Sequence, residues 1–460
     1  MLAIFLSAID QTIVSVSLLT IANELGGISL MAWVVSGYLV ASTVATPLYG
    51  KLSDLYGRRR LLNISIAMTL GGSILCALAQ SMPQLVLFRV VQGLGGGGLM
   101  ALSQTIVADV APGRERGRYQ GYFSGVFATA AVVGPMLGGY LTHYLSWRAV
   151  FWINLPIALG ALLLSNRALA RLPVHRQRRS IDYAGALLLS GGLATLLIAL
   201  TRIGQGIAWL APSTLALLAA ALVLLVLCGW VETQVEEPIL PPAIMANRTV
   251  LLCCAILALN FFLLIGSSVL LPLALQATEH ATADRVALKL LPLTIAIPCG
   301  AFLSGRLMIR QIGFDRLLMV GSLLSAVAMA AIAYTPFTMH ALLAFEMLVM
   351  GVGLGLPMPA ALVASQLAVR REQVGIATGA TAFFRTLGGA IGIAILTSML
   401  MAAMRESAPA GATMQTVLAS PSTDPAVLRE AFAQVFLVAA GAPVLSLLLA
   451  LGMGRRMPAA

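Results

Sequence analysis

Long apolar stretches recur along the whole chain, separated by short gaps that carry most of its arginines. A helix of about 20 apolar residues spans a bilayer, and fourteen stretches reach or approach that length. They lie at about 1–22, 31–50, 61–80, 84–108, 119–141, 149–168, 183–201, 210–231, 250–275, 287–308, 316–335, 339–367, 375–403 and 431–453. The sequence therefore predicts an all-α membrane protein with fourteen transmembrane helices.

The composition excludes a soluble protein. Hydrophobic residues make up 59% of the 460 residues and charged residues only 10%, whereas soluble domains carry about 25% charged residues. A net charge of +11 would suit nucleic acid, but the arginines lie in gaps between apolar stretches, which is the pattern of cytoplasmic membrane loops. We therefore expect the chain to be surrounded by a lipid bilayer and to bind no nucleic acid.

The positive charges also predict the orientation. If the N-terminus is cytoplasmic, twenty of the 28 Lys and Arg residues fall in cytoplasmic gaps and six in outer gaps. The remaining two, Arg89 and Arg385, lie within predicted spans. Because positively charged loops stay in the cytoplasm, both termini are predicted to be cytoplasmic. The expected location is the bacterial cytoplasmic (inner) membrane, with multiple passes.

A faint internal repeat divides the chain. Glycine patterns that begin at Gly93 and Gly351 are alike, as are those at Gly121 and Gly379, and each pair is 258 residues apart. Duplicated halves with a site at their interface are typical of secondary transporters. The predicted organisation is an N-terminal six-helix bundle over 1–168, a basic linker with two extra helices and a connector over 169–248, and a C-terminal six-helix bundle over 249–460.

The gap between the second and third spans has the pattern Gly-x-Leu-x-Asp-x-x-Gly-Arg-Arg, formed by Gly50, Asp54, Gly57, Arg58 and Arg59. Gly50 permits close helix contact and Gly57 a tight turn, while Asp54 can accept charge-assisted hydrogen bonds. A polar turn flanked by arginines would explain the pattern structurally. The pattern also resembles motif A of the major facilitator superfamily, which implies an element that joins the two halves and gates conformational change.

Other segments extend this resemblance to the fourteen-helix drug:proton antiporter branch, the multidrug-resistance exporter type. The segment around Asp10 resembles the first-helix acid motif of that branch, with Leu19 where proline is expected. Segments at 147–156, 181–185, 237–248 and 385–392 are also similar. The matching residues are, for motif B, Arg89, Gln92 and Gly93 and, for the antiporter motif C, Gly134, Pro135, Gly138 and Gly139, with Ala130 in place of the leading glycine.

Asp10 is the first candidate for proton coupling. It lies near the middle of the first predicted span, where an ionised carboxylate costs at least about 2.5–3.5 kcal/mol. Burial favours the protonated form, so Asp10 could carry a proton; the structural alternative is an Asp bonded to Ser7 or Thr12. The resemblance gives Arg89 a proton-relay or gating role near Asp10, whereas the structural alternative is snorkelling to the outer interface.

Two further ionisable residues lie in predicted spans. Glu346 is placed about mid-depth in the twelfth helix and is a candidate for a second proton-coupling site. Arg385 lies in the thirteenth helix, too deep to snorkel easily. The two side chains are predicted to form an intramembrane pair, which would be equally compatible with a purely structural role.

The resemblance implies a secondary active transporter that exports amphipathic, often cationic, drugs in exchange for protons by alternating access. A carboxylate in an apolar cavity suits cations, and Met-rich and aromatic walls suit varied hydrophobic bodies. The proton gradient would drive transport without a cofactor or metal. The expected partners are small amphipathic substrates, protons and lipid; a monomer is predicted, and a periplasmic adaptor is left open.

Two alternatives remain open from the sequence. On the same fold, the protein could export a single metabolite, siderophore or self-made antibiotic. In a different class, it could be a non-transporting membrane receptor or a lipid-modifying enzyme. Against an enzyme, the sequence shows no nucleophilic triad or metal-ligand spacing, and the glycines at 95–98 lack the following Lys-Ser or Lys-Thr of a phosphate-binding loop.

Overall fold

The computed structural model describes residues 1–26, 30–111, 115–169, 182–204, 207–235, 244, 246–279, 283–370, 373–403 and 425–453. Within these ranges the structure consists of sixteen helices and contains no strand. They are α1 (Leu2–Leu25), α2 (Met31–Tyr56), α3 (Arg58–Ala77), α4 (Met82–Val110), α5 (Glu115–Tyr144), α6 (Ala149–Trp152), α7 (Asn154–Ala168), α8 (Tyr183–Gly204), α9 (Pro212–Glu232), α10 (Arg248–Glu279), α11 (Ala283–Ile309), α12 (Phe314–Tyr334), α13 (His340–Gly355), α14 (Pro357–Leu367), α15 (Val374–Ala403) and α16 (Pro425–Met453).

Two pairs of helices are single rods with a short break. Ile153 alone separates α6 from α7, and Leu356 alone separates α13 from α14. Pro357 follows the second break, where its missing N–H leaves a backbone carbonyl without the usual helical bond. With each pair counted once, the described chain contains fourteen rods. Eleven are long and apolar enough to cross a membrane, and α1, α2 and α5 are not among those eleven.

The all-helical membrane fold is confirmed, and the surface of the bundle agrees with it. Large apolar side chains such as Leu187, Leu222 and Phe345 are exposed on the outside of their helices. Monomeric soluble proteins rarely expose extended apolar surface. Lipid is the solvent in which this surface is stable.

In the first half of the molecule (α1–α7), glycines hold α4 between α2 and α3. A Cβ atom added at Gly97 would meet the backbone oxygen of Ser42 in α2, and one added at Gly95 would lie 2.5 Å from the backbone nitrogen of Thr69 in α3. Helices can approach this closely only where both surfaces are small. The glycine run at 95–98 is therefore a packing surface.

The second half (α10–α16) repeats this arrangement, with α13 between α11 and α12. A Cβ atom at Gly351 would lie 2.7 Å from the backbone oxygen of Leu293 in α11, and one at Gly353 would lie 2.6 Å from the backbone nitrogen of Ser325 in α12. The glycine repeat in the sequence thus corresponds to a repeat in packing. The helices α8 and α9 pack on each other, and α8 also contacts α2 and α15.

The two halves meet along α2 against α15 and α5 against α11. A Cβ atom at Gly50 would lie 2.7 Å from the backbone oxygen of Gly375, and one at Gly379 would lie 3.1 Å from Cα of Pro47. On the other seam, Gly121 faces the ring of Phe302. These contacts lie at the end of the bundle that the charge pattern predicts to be cytoplasmic.

Candidate functional site

A buried network of charged and amide groups joins three helices of the first half. The Asp10 carboxylate, on α1, is 0% exposed. Its Oδ2 accepts a hydrogen bond from Arg89 Nη1 on α4 at 2.7 Å. Its Oδ1 accepts from Gln92 Nε2 at 2.8 Å and from Asn154 Nδ2 on α7 at 2.7 Å. Asp10 is therefore an ion-paired carboxylate with three donors and no contact with solvent.

The structure places Arg89 against Asp10 and not at the membrane surface. Arg89 is 1% exposed, and its Nη1 also donates to Gln92 Oε1 at 2.8 Å. Its Nε donates to the backbone oxygen of Val34 at 3.3 Å, and its guanidinium carbon lies 4.3 Å from the centre of the Tyr38 ring. The snorkelling alternative for Arg89 does not describe this conformation, and neither does an Asp10 bonded only to Ser7 or Thr12.

Asn154 is the member of the network that the sequence did not single out as a site residue. Its Nδ2 also contacts Ser73 Oγ at 2.9 Å, and that hydroxyl donates to the backbone oxygen of Phe151 at 2.9 Å. Asn154 Oδ1 is buried without a hydrogen-bond partner among the described residues. The available signal was its position in the segment 147–156, which resembles the antiporter branch.

Glycines of motif C seat α5 directly on α1 beside this network. A Cβ atom at Gly134 would collide with the Thr12 side chain, and one at Gly138 would lie 2.5 Å from the backbone oxygen of Ile13. Thr12 Oγ1 in turn donates to the backbone oxygen of Ala130 at 2.9 Å. These contacts pack α5 closely against α1 two and three residues after Asp10. Gly139 is partly exposed, and the side chain of Pro135 lies outside the described set.

Gly93 of motif B packs α4 closely against α2 beside the same network. A Cβ atom there would collide with the backbone oxygen of Tyr38. Because Gly93 follows Gln92 directly, its close approach brings α4 and the Tyr38 ring together around the Arg89 guanidinium.

The contact between Asp10 and Arg89 depends on both of their charges. If Asp10 were neutral, a fully buried Arg89 would lose its counter-ion, and an uncompensated buried charge costs several kcal/mol. The charge of Asp10 therefore bears on contacts that α1 makes with α4 and α7.

Motif A forms the turn between α2 and α3. Gly57 has φ 88°, a left-handed conformation that favours glycine. Arg58 Nε donates to Asp109 Oδ2 on α4 at 2.9 Å, and Arg58 also bonds Ser53. Arg59 Nε donates to Asn166 Oδ1 at 3.2 Å. Gly50 contacts the second half as described above, whereas the side chain of Asp54 lies outside the described residues.

The predicted pair between Glu346 and Arg385 is not formed. Glu346 Oε1 accepts from Thr335 Oγ1 at 2.6 Å, two turns from the start of α13 and not at mid-depth. Arg385 instead contacts Met100 Sδ at 3.3 Å and lies 5.1 Å from the centre of the Phe261 ring. The reason is packing: α13 lies against α11 and α12, whereas α15 lies against α10, α2 and α8.

A cavity of about 570 Å³ opens between α1, α5 and α11. Its walls are mostly apolar and include Phe5, Tyr122, Val126 and Phe302. Within the described residues no cluster of three or more His, Cys, Asp or Glu could hold a metal ion.

Two packed helical bundles of the same design are typical of membrane transporters. The chain belongs to the Major Facilitator Superfamily, which matches residues 1–393. The family is one of transporters and not of enzymes, and the resemblance to its multidrug-exporter type is confirmed by the relatives.

Among these relatives, the multidrug transporter protein MdtP of Bacillus subtilis is 32% identical over 408 residues, which cover 87% of this chain and 74% of MdtP. Multidrug resistance protein 3 of the same species is 30% identical, over 86% of this chain and 77% of the relative. The MFS-type transporter Rv1877 of Mycobacterium tuberculosis is 32% identical, over 97% of this chain and 67% of the relative.

Solved structures agree with the fold. The human organic anion transporter MFSD10 superposes with a TM-score of 0.65 at 17% identity, covering 97% of this chain and 98% of that one. The proton:xylose symporter XylE superposes with a TM-score of 0.63 at 16% identity, covering 99% of this chain and 94% of that one. At these identities the likeness concerns the fold alone.

Proposed function

We propose that this protein exports amphipathic small molecules in exchange for protons by alternating access. The observation that carries the proposal is the fully buried ion pair between Asp10 and Arg89. A buried ion pair is weak evidence for stability, and an ionisable residue at membrane depth marks a functional site by default. The names of the bacterial relatives support efflux of drug-like molecules.

The proton step follows from the network. With Asp10 ionised, Arg89, Gln92 and Asn154 hold α1, α4 and α7 together. A proton from the outer side neutralises Asp10 and releases Arg89, so the three helices shift relative to one another. Loss of that proton to the cytoplasm restores the pair. Cargo leaves the cytoplasm in the opposite phase of the same cycle.

We also propose fourteen transmembrane spans with both termini cytoplasmic, in the inner membrane of a bacterium. The rods α1, α2 and α5 contain 24, 26 and 30 residues, and a helix rises about 1.5 Å per residue. Each is thus long enough for a hydrocarbon core of about 30 Å. The protein would act as a monomer that draws its substrates from or through the lipid.

The test is dye transport into everted membrane vesicles under an imposed proton gradient. Two probes with the same xanthene body are used, rhodamine 110, which carries a free carboxylate, and rhodamine 123, its methyl ester. We expect gradient-dependent accumulation of at least one dye by the wild type and none by Asp10→Asn. Glu24→Gln removes an exposed acid from the same helix and should leave transport unchanged.

Two other outcomes of this experiment would contradict the proposal. Equal transport by Asp10→Asn and wild type would show that Asp10 is not the coupling acid, and Glu346→Gln would then be the next variant. Movement of neither dye by a wild type that is present in the membrane would overturn broad export and favour a single dedicated cargo.

A further inference from the structure

We infer that Arg385 binds the anionic group of the cargo, so that the transporter carries amphipathic anions and zwitterions with a carboxylate or a similar group. This inference rests on the proposed export function and assigns its substrate class. It differs from the cationic cargo that the sequence suggested.

The positive charge of Arg385 has no counter-ion among the described residues. Arg385 lies eleven residues into α15 (Val374–Ala403), well inside the rod. Its contacts are the Met100 sulfur and the Phe261 ring. A thioether is a weak acceptor, and a ring face offsets only part of a cation's lost hydration. None of the described acidic side chains forms an ion pair with Arg385.

The surroundings of Arg385 differ from those of Arg89. Arg89 is sealed from solvent and has Asp10, Gln92, Val34 and the Tyr38 ring around its guanidinium. Arg385 keeps part of its surface exposed, and a guanidinium has five N–H donors in a planar fork. Apart from the contact with Met100, these donors form no hydrogen bond with the described residues. A charge kept at membrane depth without a counter-ion is costly, and an anionic ligand would remove that cost.

The position of Arg385 also suits a binding residue. Arg385 and Phe261 belong to the second half, and Met100 belongs to α4 of the first half. Arg385 thus lies where the halves face each other, which is where duplicated transporters bind their cargo. A guanidinium and a carboxylate can form two parallel hydrogen bonds. Phe261 and Met100 would contact the apolar body attached to that carboxylate.

The acid that would attract a cationic cargo is not available in this conformation. Asp10 is 0% exposed and accepts three hydrogen bonds from its own half. Glu346 lies on α13, bonded to Thr335. Arg385 is therefore the charge best placed to select the cargo by its sign.

The test measures binding of rhodamine 110 and of its methyl ester, rhodamine 123, to the purified full chain in lipid nanodiscs. Wild type should bind the acid at least about tenfold more tightly than the ester, since a hydrogen-bonded charge pair forms only with the acid. Arg385→Gln should lose this preference while its affinity for the ester stays the same. Arg385→Lys should keep the preference with reduced affinity, and Arg429→Gln, which removes an exposed arginine, should behave as wild type.

The inference is overturned if wild type does not prefer the acid, because that comparison needs no variant to fold. It is also overturned if Arg385→Gln, shown by thermal unfolding to be folded, keeps the preference or weakens both dyes equally. Failure of the export proposal has a separate signature. In that case the acid still binds through Arg385, but neither dye moves with the proton gradient in vesicles.

Discussion

In the first half α4 packs between α2 and α3, and in the second half α13 packs between α11 and α12, in both cases through glycines against backbone atoms. The contact between α5 and α1 in the first half likewise corresponds to the contact between α15 and α10 in the second half. Gly134 lies against Thr12, and Gly392, its equivalent in the repeat, lies against Phe262. Two residues before each contact stand Asp10 and Asn260, which are both buried.

The charges at these equivalent places differ. Asp10 is paired with Arg89, whereas Asn260 Oδ1 has no hydrogen-bond partner among the described residues. The positions that correspond to Arg89 and Gln92 are Met347 and Met350, both part of an apolar cluster. The same packing therefore forms with methionines in one half and with an ion pair in the other. This difference shows that the packing itself does not require the charges of the first half, and it supports the proposed role of these charges in transport.

The largest expected effect on stability comes from removing the Asp10 charge, which distinguishes the first half from the second. Asp10→Leu should lower the free energy of unfolding by about 3–5 kcal/mol, because Arg89 is left buried and unpaired. Asn260→Leu should change it by less than about 1 kcal/mol, because it removes an acceptor that already lacks a partner. Denaturant-induced unfolding in mild detergent measures both.

The double variant Asp10→Leu/Arg89→Met serves as the matched control. It gives the first half the apolar character of the second and should recover most of the stability that Asp10→Leu loses. If Asp10→Leu costs no more than Asn260→Leu, the ion pair does not distinguish the halves energetically.

An intermediate effect is expected where the halves are alike. Gly134→Ala and Gly392→Ala should each lower the free energy of unfolding by about 1–3 kcal/mol, because the new methyl group collides with α1 or α10. Gly441→Ala is the control, since nothing lies within 4 Å of an added Cβ there, and it should be neutral or stabilising by up to about 1 kcal/mol. A large loss of stability for only one of the two variants would mean that the α5–α1 and α15–α10 contacts are not equivalent.

The smallest effect concerns an exposed ion pair of the first half. Arg148 Nη1 contacts Glu24 Oε1 at 2.5 Å near the end of α1, and its hydrogen bond holds the pKa of Glu24 below the ordinary value. A carboxylate whose pKa is lowered in the folded state stabilises the fold at pH values above its ordinary pKa. This contribution is lost as the pH falls through the lowered pKa.

Since both side chains are largely solvated, Glu24→Gln should lower the free energy of unfolding at pH 7 by less than about 1 kcal/mol. The difference from wild type should shrink as the pH falls below the ordinary range of a glutamate carboxylate. Thermal unfolding across a series of pH values measures this, and a loss that does not change with pH would rule out the ion pair as its source.

Hydropathy and charge predicted the helical rods, because a helix that spans a bilayer needs about 20 mostly apolar residues. They did not predict the breaks at Ile153 and Leu356, since both residues are apolar and suit a continuous helix. Asp10 and Arg89 stood out in the sequence because each is costly at membrane depth. Asn154 carries no charge, so its role depends on α7 lying beside α1.

Glu346 and Arg385 were predicted to pair from their depth in the membrane, but they face different neighbours. Position along a helix does not reveal which neighbour a side chain faces, and α13 and α15 face different helices. Likewise, motif A marked Arg58, but its partner Asp109 lies 51 residues away, and only the packing of α3 against α4 brings the two together.

The glycine seams of α4 have a mechanical consequence. Gly93 and Gly97 bring this helix against the backbone of α2, so no flexible side chain can absorb a displacement between the two. Arg89 and Met100 stand at two levels of the same helix, separated by about 16 Å of helical rise. The helix α4 thus connects the ion pair directly to the place where Arg385 contacts Met100.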